Sequence, residues 1–238
     1  MATGYDVVIL SDLHLGMDGS KPKKILKFLE SIKPNVLILN GDIIDIDAMK
    51  RGAKWKSGHT RVVTKILEMS KTISVIYIRG NHDDDIQEMF GNNIMGVSFC
   101  DEFFLYRNGK KYLVFHGDKI DVTVKWKFLT YIGSVGYDIS LKLNNWYNMY
   151  REWRNLPYYS ISKVIKENFK EAISFINDFE TNACDYAIRK GCDGVICGHI
   201  HIPTIKEINN IPYLNSGDWV ENFSALGLTK NGEWDIIH

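Results

Sequence analysis

Three short β-rich runs, YDVVIL (5–10), NVLILN (35–40) and ISVIYI (73–78), alternate with two segments whose apolar residues recur at helical spacing, KPKKILKFLESI and TRVVTKILEMSK. Strand, helix, strand, helix, strand is the pattern of a parallel sheet, because parallel neighbours need a crossover between them. The class is therefore α/β. Beyond it, VSFCDEFFLY and KYLVFHG read as two strands joined by a hairpin turn at Asn108-Gly109. From about 119 to 190 the pattern turns helical, after which DGVIC, TIKEI, IPYLN, SALGLT and EWDII read as short strands punctuated by Gly, Asn and Pro. No simple repeat or low-complexity segment interrupts the chain.

At 238 residues the chain is long enough for one substantial core, and residues 1–238 are read as a single domain. Its 29 basic and 29 acidic residues cancel, so composition gives no argument for a nucleic-acid partner. MATGYDVVILSDLH runs straight into a strand with no basic leader, and no uncharged apolar run is long enough to span a bilayer. A cytoplasmic protein is the expectation. The four cysteines, Cys100, Cys184, Cys192 and Cys197, include no CxxC pair and are read as buried free thiols.

Polar residues gather where the strands end. YDVVIL leads into Ser11-Asp12-Leu13-His14, NVLILN into Gly41-Asp42, ISVIYI into Arg79-Gly80-Asn81-His82-Asp83, KYLVF into His116-Gly117-Asp118, and DGVIC into Gly198-His199-Ile200-His201. One Asp after a strand is usually a cap or turn residue. Five such clusters are different, because ligands of open α/β sheets bind beyond the carboxyl ends of the strands. His199 and His201, two apart at a strand end, leave it pointing the same way. A set of imidazole and oxygen donors without thiolate suits Mn²⁺, Fe²⁺ or Zn²⁺ better than Ca²⁺.

In this order the blocks Asp12-x-His14, Gly41-Asp42-x-x-Asp45, Gly80-Asn81-His82-Asp83, His116-Gly117 and Gly198-His199-x-His201 resemble the signature of the calcineurin-like metallophosphoesterases, over roughly residues 5 to 218. The resemblance implies a four-layer α/β/β/α sandwich carrying a helical insertion, with two divalent metal ions at the strand ends. It assigns one ion to Asp12, His14, His201 and a bridging Asp42, and the other to Asp42, Asn81, His116 and His199. Manganese is the favoured metal, with Fe²⁺ or Zn²⁺ as alternatives. Two ions about 3.5–4 Å apart can clamp a phosphoryl group during in-line displacement.

The same resemblance gives His82 a catalytic role, facing the phosphoryl group rather than binding metal, and Asp85 the role of the carboxylate that orients it. Asp83 and Asp84 are read as caps or N-terminal charges of a helix continuing through IQEMF. Asp45 is read as a supporting residue, and Asp118 has no assigned role.

Substrate choice points to the segment 119–166, where Trp126, Phe128, Tyr131, Trp146, Tyr150 and Trp153 interleave with lysines and arginines. It is either a buried helical hairpin, a cap over an acyl or nucleotide group, or a surface that rests on an anionic membrane. The SDLHLG opening and the C-terminal YLNSGDWVENFSAL resemble the bacterial UDP-2,3-diacylglucosamine pyrophosphohydrolases and their close relatives. That implies release of UMP and a diacylated sugar phosphate during lipid A biosynthesis, with peripheral contact at the inner membrane. The best-known branch has Arg where this chain has His82. A phosphodiesterase or phosphatase acting on a soluble nucleotide or other diester is the alternative, and a non-catalytic interaction protein on the same scaffold is a third reading. Trp219 is left either stacking on a base or packing.

Overall fold

Residues 4–89, 91–120, 153–154 and 161–238 are described by a computed structural model. The chain divides into two compact units, one of Met1–Ile120 with Thr181–His238 and one of Asp121–Glu180. In the first unit β1 (Tyr5–Leu10), β2 (Val36–Asn40), β3 (Ser74–Ile78) and β5 (Val97–Cys100) run parallel, side by side. With β4 (Asn93–Ile94), β11 (Ala225–Thr229) and β12 (Trp234–Ile237) they form a seven-stranded sheet in the order β12-β11-β1-β2-β3-β5-β4. A second sheet of five strands has the order β6-β7-β8-β10-β9, built from β6 (Phe103–Arg107), β7 (Lys110–Val114), β8 (Gly194–Cys197), β9 (Thr204–Ile208) and β10 (Ile211–Asn215).

Alternation of side chains along each strand makes the layers. Val8, Leu10, Leu37, Leu39 and Val75 pack under helices α1 (Pro22–Ser31) and α3 (Ser57–Met69), which contribute Ile25, Phe28, Leu29, Val62 and Ile66. Their neighbours Val7, Ile9, Ile38, Ile76 and Ile78 face the other way and meet Leu105, Val114, Ile196 and Leu214 of the five-stranded sheet. On the far side of that sheet Phe115 packs edge-on against Tyr186, near the end of helix α4 (Ile161–Arg189). Two sheets flanked by helices are thus the fold that the sequence implied.

VSFCDEFFLY is not one strand. Val97–Cys100 belongs to the seven-stranded sheet and Phe103–Arg107 to the other, so the chain changes sheets at Asp101-Glu102. Each half alternates as a strand should, and only its partner decides the sheet. The hairpin through Asn108-Gly109 forms as expected. Most of the aromatic 119–166 segment lies outside the described residues; within it Trp153 is exposed. Among the described residues no helix is long and apolar enough to cross a membrane.

Candidate metal centre

The polar clusters come from both sheets. Asp12 and His14 follow β1, Asp42 follows β2, and Asn81 and His82 follow β3, whereas His116 follows β7 and His199 and His201 follow β8. They converge. His201 Nε2 lies 2.9 Å from Asp12 Oδ1, His116 Nε2 lies 3.4 Å from Asp42 Oδ2, and His199 Nδ1 lies 3.3 Å from His116 Nε2. Ligand atoms of Asp12, His14 and His201 lie within 4.8 Å of one another, as do those of Asp12, Asp42 and His116. Asn81 shares the β3 loop with His82, whose backbone N–H donates to Asp42 Oδ1 at 2.8 Å.

The local backbone is unusual at these positions. Asp12, His14, Asp42, His199 and His201 have φ of 55°, 44°, 54°, 67° and 57°, in the left-handed region. Asp, Asn and His are the non-glycine residues that tolerate it best, and such conformations cluster at functional sites. Close approach needs glycine as well. A Cβ on Gly41 would strike the His116 ring, and one on Gly80 would strike the Asp42 carboxylate.

Asp12, His14, Asp42 and His116 are buried, while Asn81, His82, His199 and His201 are half-buried and form the open side. Burial opposes charge on Asp12 and Asp42, yet neighbouring imidazoles, His201 and His116 on the first and His116, His14 and His82 on the second, hold both carboxyls well below the usual range. Burial likewise opposes charge on His116, and Asp42 and Asp12 outweigh it, raising its pKa to about 10. The His116 Nδ1–H donates to the Asn40 carbonyl at 2.9 Å, which turns Nε2 towards Asp42.

A cation fits this arrangement. Asp42 Oδ2 is buried and accepts no hydrogen bond among the described residues, although Nε2 of His116, His14 and His82 surround it at 3.4, 3.8 and 3.9 Å. Asn81 Oδ1 is likewise buried without a donor. Two atoms each about 2.1 Å from one ion stand roughly 3–4 Å apart, the spacing seen here.

Asp85 is not beside His82. Its carboxylate pairs with Lys50 Nζ at 2.6 Å on an exposed surface. The carboxylate on His82 is that of Asp45, whose Oδ1 is 3.1 Å from His82 Nδ1 while Oδ2 is 3.1 Å from His14 Nδ1. Asp45 also caps helix α2 (Ile46–Lys50) through Ala48 N–H. Burial pushes its carboxyl up, but hydrogen bonds from His14 and His82 carry it far below the usual range.

The segment after Asp83 is a 3-10 helix (Asp84–Met89), with Asp84 on Arg79. Asp83 turns inward instead of capping it. Its oxygens accept from Tyr77 Oη, Ile43 N–H and Gly80 N–H, stitching the β2 and β3 loops together. Burial, then the charge of Asp42, raises its pKa. Asp118 pairs with Arg79 at 3.1 Å. Trp219 is buried against Phe28, ring centres 4.7 Å apart, so it packs. Its backbone N–H donates to the Asp12 carbonyl, and Asn222 Nδ2 donates to the His201 carbonyl, so the GDWVEN segment braces the loops of Asp12 and His201. Nothing in its spacing announced that role.

No curated protein sequence matches the chain. Among solved structures, it is similar to an archaeal phosphodiesterase (15% identity, 97% of this chain and 98% of that one, TM-score 0.45). It is also similar to Yfce, a phosphoesterase from E. coli (15%, 97% and 97%, TM-score 0.47), and to vacuolar protein sorting 29 from Cryptosporidium parvum (13%, 97% and 94%, TM-score 0.45). The family model described as calcineurin-like phosphoesterase matches residues 5–203. With its strand-end clusters of metal-ligand type, the chain belongs to the calcineurin-like phosphoesterases, hydrolases that depend on a pair of metal ions.

Proposed function

We propose that the chain hydrolyses a phosphodiester or pyrophosphate bond at two divalent cations, one held by Asp12, His14, His201 and Asp42 and the other by Asp42, Asn81, His116 and His199. The observation that carries this reading is Asp42 Oδ2, buried without a hydrogen-bond donor among the described residues and ringed by three imidazole nitrogens. When bound, such a pair supplies water acidified towards neutral pH and neutralises charge on phosphoryl oxygens. His82 does the proton work. Its Nδ1 is fixed by Asp45, which leaves Nε2 to donate a hydrogen bond to a phosphoryl oxygen or a proton to the leaving oxygen. Manganese is the proposed metal, with Fe²⁺ or Zn²⁺ as alternatives.

For the substrate we propose UDP-2,3-diacylglucosamine, cleaved to UMP and the diacylated sugar phosphate by a cytoplasmic protein whose 119–166 segment contacts acyl chains at the inner membrane surface. The SDLHLG opening and the YLNSGDWVENFSAL segment support it. His82, where the best-known branch of those hydrolases has Arg, favours a second reading, a soluble nucleotide or other diester. The test is to incubate manganese-loaded protein with UDP-2,3-diacylglucosamine and with bis(p-nitrophenyl) phosphate in parallel and to identify products by mass. UMP with the lipid strongly preferred supports the first reading; turnover of the soluble diester alone discards the lipid. Turnover of neither, in protein that binds two ions, would count against both.

A further inference from the structure

Building one metal centre from two separate sheets creates a positioning problem. Asp42 hangs from the seven-stranded sheet and His116 from the five-stranded one, so their separation depends on whatever holds the sheets at that edge. Asn40, the last residue of β2 and fully buried, touches the His116 segment twice. Its backbone carbonyl accepts from His116 Nδ1 at 2.9 Å, and its side-chain Nδ2 donates to the Phe115 carbonyl at 3.1 Å. Ring and preceding peptide are thus gripped by one residue.

The other end of the amide is more telling. Asn40 Oδ1 is buried and accepts no hydrogen bond among the described residues. The Phe115 carbonyl can only accept, so the amide nitrogen must face it and the oxygen is left over. An unpaired buried oxygen works against folding, and groups of that kind call for a reason beyond stability. An apolar side chain here would remove that oxygen but strip the buried Phe115 carbonyl of the donor it has from Asn40, exchanging one unpaired group for another.

We infer that the Asn40 side chain is a positioning residue for the metal centre, setting the distance of His116 from Asp42 through its hold on the Phe115 peptide. This rests on the two-cation reading above. The test compares wild type, Asn40→Leu and Asn40→Val by thermal melting of the metal-free proteins, calorimetric titration with Mn²⁺, and steady-state kinetics on bis(p-nitrophenyl) phosphate.

The result expected is a metal-free melting temperature close to wild type in at least one variant, since each replaces the unpaired Asn40 oxygen with an unpaired Phe115 carbonyl. In that same variant one of the two Mn²⁺ sites is weakened about 10-fold, the low end of the effect of losing support behind a metal ligand because the Asn40 carbonyl still holds the His116 ring, and kcat falls while KM holds. Wild-type kcat in both variants would overturn the inference. So would wild-type Mn²⁺ affinity at both sites in the variants. If wild type itself fails to bind two ions, the two-cation reading fails first, and the titration alone reports that.

Discussion

The carboxylate of Asp45 holds the ring of His82, Oδ1 to Nδ1 at 3.1 Å, while its other oxygen holds His14 at the same distance. One side chain thus orients both a candidate metal ligand and the candidate proton donor. Asp45→Asn is expected to lower kcat by about 10²–10⁴, the range associated with a positioned acid or base. Asp85→Ala, which breaks only an exposed pair with Lys50, is expected to stay near the wild-type rate. Steady-state kinetics on both variants decide; the opposite ranking would restore Asp85 as the orienting group.

Asp42→Ala and His82→Ala should separate binding from chemistry. Asp42 stands among three imidazoles, so its removal is expected to empty both positions and abolish turnover. His82→Ala is expected to keep two metals per chain while slowing catalysis. Elemental analysis of the purified variants checks this, and metal loss from the His82 variant would make that ring a ligand.

Metal binding should release a proton. Without metal, His116 is held protonated up to about pH 10 by Asp42 and Asp12, and a ligand imidazole must be neutral. The raised value means that its charge favours the metal-free fold below the unfolded pKa, a contribution lost as pH rises through about 10. The same proton competes with the cation. Apparent Mn²⁺ affinity should therefore climb by about tenfold per pH unit on the way from neutral towards pH 10. Calorimetry in buffers of different ionisation enthalpy counts the proton directly, and a pH-independent affinity would contradict it.

Glu102 anchors the far end of the β5–β6 crossing. It accepts from Tyr186, from Lys119 at 2.9 Å and from Lys190 at 2.9 Å. Burial raises its pKa, but these partners overcome it and bring it down to about 2. The stability it contributes is complete above the ordinary glutamate value and disappears as pH falls through about 2. Glu102→Gln is expected to cost about 1–3 kcal/mol at pH 7, a gap that closes in acid. Chemical denaturation at pH 7 and pH 3 measures it, and a gap of equal size at both would sink the assignment.

Trp219 is in the core rather than in a substrate cleft. Trp219→Phe is expected to lower stability by about 1–3 kcal/mol without changing KM for a uridine-containing substrate. A rise in KM with an unchanged melting temperature would place the indole on the base instead.

Much of this centre was legible because its chemistry is carried by short strings at strand ends. Gly-Asp, Gly-Asn-His and Gly-His-x-His combine donor types with the glycine that close approach requires, and the structure gathers Asp12, His14, Asp42, His116, His199 and His201 together. What could not be read depended on tertiary partners. Asp85 matched a spacing, but the chain turns Asp83 inward onto Tyr77 and sends Asp85 outward to Lys50. Asp45, one helix cap among many in sequence, becomes the shared support of two imidazoles only once β2 and β3 lie side by side. Cys100 and Phe103 belong to different sheets for the same reason.

The division of the candidate ligand loops between two sheets has a mechanical side. Elsewhere those layers meet chiefly through apolar side chains such as Ile38, Ile76, Val114 and Ile196, a contact without directional bonds. A doubly charged ion gripped by Asp42 from one layer and His116 from the other would act as a rivet through the seam. Removing it would loosen one rim of the sandwich and leave the opposite rim shut, so scarcity of metal would be felt as slack in the scaffold as well as loss of the catalyst.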